Sequence, residues 1–270
     1  PTGVPRGLEG SVLPFNYGDP EMVEALLQEN MGEVAAIMME PARGQLPPPG
    51  YLERIVELTH QHGALVIFDE VSCGWRYRIG GIQEAVGVTP DMTALAKAMG
   101  NGYAMGVVVG SREVMEPAAR MFISSSYWSD NVGLAAAITT IRELKRRESE
   151  KFFEEYGEKM RAAMNNAIAT AGLSGSATGL HVNVNISLDL PDHGLGPTVS
   201  TLFIQEMARR GIHCYMGLKA NMAHTDEDLQ ITARAATEAL QVIKTGLDNG
   251  DVASLLVCDT KEDPFRRQVT

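Results

Sequence analysis

Four short apolar runs constrain the fold more than any other feature. They are VAAIMM (34–39), ALVIF (64–68), MTALA (92–96) and MGVVVG (105–110). Each is strand-sized and too short for a buried helix. The first three stop abruptly at a charged residue, namely Glu40, Asp69 and Lys97. Helical patterns lie between them. Asp19-Pro20 places a capping carboxylate before a proline at the first helical position, and Val23, Leu26 and Leu27 give that helix an apolar face. Leu52, Ile55, Val56 and Leu58 mark a second helix that stops at Gly63. Apolar strands alternating with amphipathic helices predict an α/β fold with a mostly parallel sheet covered on both faces.

The pattern changes after about residue 130. Residues 131–147 and 149–171 read as Ala-rich helices. Leu180, Val182, Val184, Ile186 and Leu188 alternate with other residues and predict one strand with a wet face. A helix (199–210), a short strand IHCYM (212–216) and a helix from a Thr225/Asp228 capping box to about 245 follow. The tail after Asn249 carries no pattern. At roughly 150 residues per domain, 270 residues suit two domains. The change of character divides them into residues 1–135, with the mostly parallel sheet, and residues 136–270, of α+β type.

Charge and cysteine content exclude several functions. With 23 Lys+Arg against 34 Asp+Glu the net charge is −11, which is wrong for coating nucleic acid or docking on anionic lipid. No apolar run approaches the roughly 20 residues that span a bilayer. Cys73, Cys214 and Cys258 form neither a CxxC motif nor a disulfide framework, which points to a reducing, cytoplasmic setting. The opening residues, PTGVPRGLEGSVLPFNYGD, are turn-rich and read like the middle of a longer protein.

The chemistry centres on Asp69 and Lys97, which end two apolar runs, with Gly100 and Gly102 just beyond the lysine. Open α/β sheets bind ligands at the carboxyl ends of their strands. A carboxylate and an amine placed there suit pyridoxal phosphate (PLP): its aldehyde takes a lysine as a Schiff base, and its ring nitrogen takes an acid. Taken singly, an acid at a strand end is a cap or a solvated group, and a lone lysine is surface. LVIFDE also matches a Walker B strand, in which Asp69 would hold Mg²⁺ and Glu70 would orient water in a nucleotide hydrolase. The GxxxxGK[ST] segment that this reading requires does not occur in these residues.

The segments MMEPARG (38–44), GALVIFDEVSCGW (63–75), PDMTALAKAMGNGYAMG (90–106) and AHTDEDL (223–229) occur in one order. Together they resemble the class III PLP-dependent aminotransferases, particularly the branch containing glutamate-1-semialdehyde aminomutase. The resemblance implies fold type I, with part of a large PLP-binding domain, a small C-terminal domain and a homodimer. It also implies an amino donor and a carbonyl acceptor as substrates. It gives Lys97 the Schiff base, Asp69 the ring nitrogen and Val71 one ring face. Glu40 stands beside the cofactor pocket, where a capping or buried acid is the alternative reading. Ser126, in SSSYWSDN (124–131), supplies a hydroxyl to the phosphate of the neighbouring subunit's PLP. The family often has Gln where Ser72 stands, and Gln45 replaces a common glutamate. Family members are longer, and most of the phosphate-binding turn would precede Pro1, so these residues alone are expected not to be a competent enzyme. An aminomutase or a racemase on the same scaffold, or a non-catalytic subunit of this fold, are the alternatives.

Other candidates read as structural. His60 and His62 are two apart, cannot share a helix face as a metal pair, and read as solvated. No metal site is expected. Cys73 reads as a packing residue. His224 either approaches the pocket or ends a strand.

Overall fold

The computed structural model describes residues 4–124, 128 and 130–261. The elements in order are α1 (Pro20–Glu29), β1 (Ala36–Met39), α2 (Tyr51–Gln61), β2 (Leu65–Asp69), α3 (Ile82–Val86), β3 (Met92–Ala96), β4 (Gly106–Gly110) and α4 (Arg112–Met115). Then come α5 (Asn131–Arg146), α6 (Ser149–Thr170), β5 (Gly175–Leu180), β6 (Asn183–Leu188), α7 (Gly196–Arg209), β7 (Gly217–Lys219) and α8 (Asp226–Asp248). Two compact units result, and the division falls inside α5, between Arg142 and Glu143.

The first unit holds a four-stranded sheet in the order β1-β2-β3-β4. Pairings β1–β2 and β2–β3 are parallel, and β3–β4 is antiparallel. The Asp19 carboxylate accepts from Met22 N at 2.9 Å and starts α1. Val23 and Leu27 of α1 and Leu52, Ile55 and Leu58 of α2 pack with Ile37, Met39, Val66 and Phe68. That covers one face of the sheet. The expectation of two covered faces does not hold among the described residues. On the other face Met38 is 57% and Val108 51% exposed. Burial alternates along β1 and β2 rather than being continuous.

The second unit is a three-stranded antiparallel sheet, β5-β6-β7, with α6, α7 and α8 on one face. Its core joins Met164, Ala167, Val184, Leu202, Phe203, Leu240 and Ile243. Two expectations need correction. The single strand through Leu180–Leu188 is the hairpin of β5 and β6, turning at His181-Val182. The alternation carries on through the turn, since Leu180, Val182, Val184 and Ile186 are all buried. IHCYM is not a strand; pairing starts where Ile186 N donates to Met216 O, and the strand is β7. The described part of the tail is also more ordered than its composition indicates. Val252 is buried, and the Gln205 amide clips the chain by donating to Leu255 O and accepting from Val257 N. The capping box at Thr225 and Asp228 forms and starts α8. Among the described residues no helix is long and apolar enough to cross a membrane.

Candidate active site

Asp69 is the last residue of β2 and pairs with Ala94 of β3. The strands are parallel, so their carboxyl ends share one edge of the sheet. Glu70 N extends the pairing by donating to Ala94 O at 2.9 Å. Strand periodicity puts Asp69 and Glu70 on opposite sides. Glu70 turns inward and is fully buried, whereas Asp69 is half-buried. One oxygen of Asp69 accepts from Val71 N at 3.0 Å, and among the described residues no hydrogen bond occupies the other.

Lys97 follows β3 directly and lies on the same edge. Its backbone is left-handed, with φ of +49°. For a residue with a Cβ that conformation costs on the order of 1 kcal/mol and is held by its surroundings. Its side chain is exposed, and Nζ donates to Ser72 Oγ at 2.7 Å. Ser72 follows Val71, so one short turn contacts both the carboxylate and the amine.

That turn is tightly built. Gly74 N donates to Glu70 O at 2.8 Å. A Cβ on Gly74 would lie 2.7 Å from Glu70 O and from Leu95 Cδ2. One Glu70 oxygen accepts from Gln83 N at 3.0 Å and so holds the far end of the loop, where a Cβ on Gly81 would collide with the same carboxylate. The other Glu70 oxygen is buried and has no hydrogen-bond partner among the described residues. Burial and then the Glu70 carboxylate push the Cys73 thiol well above its ordinary range, which disfavours the thiolate. Burial lowers the Arg76 guanidinium, whose Nη1 donates to Ser72 O.

The other predicted residues fall as follows. Val71 is half-buried beside Asp69. Glu40 follows β1 on the same sheet edge but pairs with Arg43 at 3.4 Å. Near it, Tyr17 Oη donates to Pro41 O at 2.7 Å, and burial raises the Tyr17 hydroxyl to about 12. Ser126 lies outside the described residues. In the second unit, His224 sits before α8 with its ring 5.9 Å from that of Tyr156. His60 is half-exposed but bonded rather than merely solvated, with Nε2 2.8 Å from Asp91 Oδ2. Among the described residues no group of three or more His, Cys, Asp or Glu could hold a metal ion. The sequence reading did not single out Glu70 as the loop's anchor or Ser72 as the lysine's partner. Period-two alternation through Asp69-Glu70 was the available signal for Glu70. The departure from Gln was the only signal for Ser72.

The profile described as "Aminotransferase class-III" matches residues 17–247. The chain belongs to the class III aminotransferases. It is 33% identical over 255 residues to a 3-aminobutyryl-CoA aminotransferase of Cloacimonas acidaminovorans, covering 90% of this chain and 61% of the relative. It is 32% identical over 266 residues to a glutamate-1-semialdehyde 2,1-aminomutase of Roseiflexus castenholzii, covering 92% and 61%. The chain thus spans about three fifths of the length of these relatives. Among solved structures it resembles an omega-transaminase from Sphaerobacter thermophilus, with TM-score 0.79 and 27% identity over 89% of this chain and 59% of that one. The FumI protein of Sphingopyxis sp. MTA144 shares the fold, with TM-score 0.83 and 21% identity over 92% and 61%. The fold is that of the PLP-dependent transferases of fold type I.

Proposed function

We propose that the protein of which these residues form part or all is a PLP-dependent aminotransferase that moves an amino group from an amino acid or amine to a carbonyl acceptor. The carrying observation is the pairing at the sheet edge. Asp69 and Lys97 stand at the carboxyl ends of adjacent parallel strands, and among the described residues the lysine's hydrogen-bond partner is a neutral hydroxyl. That donor set fits the cofactor: an exposed amine for its aldehyde, a carboxylate with one oxygen not hydrogen-bonded among the described residues for its ring nitrogen, and Val71, whose amide bonds that carboxylate, for one ring face.

When bound, PLP supplies an aldehyde that takes the substrate amine and a ring that accepts electrons from the substrate carbon. Lys97 would hold the cofactor, and its freed amine would move a proton at the substrate carbon. Asp69 would keep the proton on the ring nitrogen. Val71 would pack on one face of the ring and Glu40 would stand beside the pocket, and the family resemblance gives Ser126 a role at the phosphate of the neighbouring subunit's cofactor. Residues 1–135 belong to the large domain and 136–270 to the small one, a reading supported by the division inside α5. A homodimer is supported by exposed apolar side chains at Phe122, Val132, Leu134 and Ile138. A cytoplasmic setting is supported by three free cysteines. An aminomutase, running both half-reactions on one molecule, is the second reading, favoured by the likeness to glutamate-1-semialdehyde 2,1-aminomutase.

Borohydride reduction of the intact protein with PLP, followed by peptide mapping, tests the anchor. The label is expected on Lys97. A label on another lysine overturns the assignment.

A further inference from the structure

The hydrogen bond from Lys97 Nζ to Ser72 Oγ, at 2.7 Å, is the contact by which this chain holds its reactive amine. The serine is itself held from three sides. Val71, just before it, donates its amide to Asp69. Arg76 Nη1 donates to Ser72 O. Beyond Ser72 the loop folds back through Gly74 N to Glu70 O, Arg76 N to Cys73 O at 3.2 Å and Tyr77 N to Cys73 O at 3.3 Å. The buried Glu70 carboxylate then fastens its far end to Gln83 N. Gly74 and Gly81 leave no room for a side chain, so the loop cannot loosen without losing these contacts. Facing it, Lys97 leaves β3 in a left-handed conformation, which a single residue adopts only when its surroundings hold it there.

We propose that Ser72 is a positioning residue for the Lys97 amine: its hydroxyl aims Nζ along the sheet edge toward the Asp69 side. The chemistry of the partner is the central point. A carboxylate at this position would also orient the amine, but it would favour the charged form, which is not nucleophilic. A hydroxyl both accepts and donates, so it holds the amine whether or not that amine carries its extra proton. A methyl group would do neither. The residue at 72 therefore sets how readily Lys97 reacts with an aldehyde, and the hydroxyl there departs from the Gln common in the resembling family. The inference rests on the PLP reading for its consequence, but the contact between Ser72 and Lys97 does not.

The test compares wild type with Ser72→Thr, Ser72→Ala and Ser72→Asp in the intact protein freed of cofactor. Two readings are taken. One is labelling of Lys97 by trinitrobenzenesulfonate across the alkaline range, followed by peptide mapping. The other is the rate at which added PLP develops its visible band. Ser72→Thr is expected to match wild type in both. Ser72→Asp should move half-maximal labelling to higher pH and slow PLP capture about tenfold or more. Ser72→Ala should slow capture by about tenfold, the loss expected of one hydrogen bond. Its labelling should not slow, because a probe arriving from solvent needs no aimed amine. Wild-type capture rates in both the Ala and Asp variants would overturn the proposal. So would a Thr variant as slow as Ala. Should the Ala variant fail to fold, Thr against Asp still decides. If borohydride fixes PLP to another lysine in wild type, the proposed function falls, while the labelling shift in Ser72→Asp still reports on the Ser72–Lys97 contact.

Discussion

The two units share an architecture, a sheet with helices on one face, and differ in what the other face presents. In the second unit the open face carries Ser176, Thr178, Asn185 and Ser187. In the first it carries Met38, Ile67, Ala94 and Val108. Water completes a polar face; an apolar one is surface of the kind proteins bury against something else. Their interiors differ as well. The second unit has a single core running through α6, α7, α8 and the sheet. In the first, the cluster under α1 and α2 is separate from a small one at Leu95, Met99 and Ala137. The candidate site and, among the described residues, three of the four left-handed non-glycine residues, Trp75, Lys97 and Asn101, belong to the first unit. The candidate site thus sits where backbone is strained and packing divided.

The largest expected effect separates chemistry from folding outright. Lys97→Ala should lower transamination by the intact protein about 10³-fold or more. Because the side chain is exposed, its thermal unfolding should stay within about 0.5 kcal/mol of wild type. A large loss of stability would mean that the lysine holds the unit together, and the contrast would break. The mirror experiment is Phe203→Ala in the second unit. Phe203 is fully buried, and its loss should cost about 3–5 kcal/mol. Calorimetry should show the transition of the second unit moving down while PLP capture by folded protein is unchanged. Both properties falling together would show that the two units work as one.

A change at Asp69 should sit between these extremes. Asp69→Asn keeps the shape and removes the charge. Turnover should fall about 10²-fold while the visible band still forms. Near-normal turnover would sink the role at the ring nitrogen.

The sequence was legible where local chemistry announces an ending. Asp69 and Lys97 could be placed because an apolar run that stops at a charge marks the end of a strand. α1 and α8 could be started because Asp19 and Thr225 are caps whose partners lie three residues on. The β5–β6 hairpin was illegible because His181-Val182 contains no glycine, asparagine or proline, and the apolar alternation runs through it unbroken. The open face of the first sheet was illegible because Met38 and Val108 look like core residues. The tail could not be read because what holds it is the side chain of Gln205, far away in sequence. The same holds for the site: Ser72 and Lys97 are separated by α3 and β3, and a contact between them leaves no local pattern.

The smallest expected effect concerns acid. Glu206 of α7 is buried at 4% exposure and accepts from Arg209 and Arg210, each at 2.7 Å. Arg210 also bonds Glu238 of α8 at 2.8 Å, which ties the two helices. Burial by itself would raise the Glu206 carboxyl, but the hydrogen bonds from Arg210, Gln205 and Arg209 outweigh it and hold it below its ordinary value. A carboxyl depressed in the folded state stabilises that state fully above its unfolded value, and the contribution disappears as pH falls through the folded value. The second unit should therefore lose stability as pH drops below the ordinary carboxylate range. Glu206→Gln should abolish that part of the acid dependence and cost on the order of 1 kcal/mol at neutral pH, since both arginines retain access to water. The first unit has a comparable group in Asp91. Burial would raise it, yet the Val66 amide and His60 hold it low. Acid titration of Glu206→Gln followed by two-transition calorimetry separates the contributions. If the acid dependence of the second unit survives the substitution unchanged, the network at Glu206 is not what joins α7 to α8.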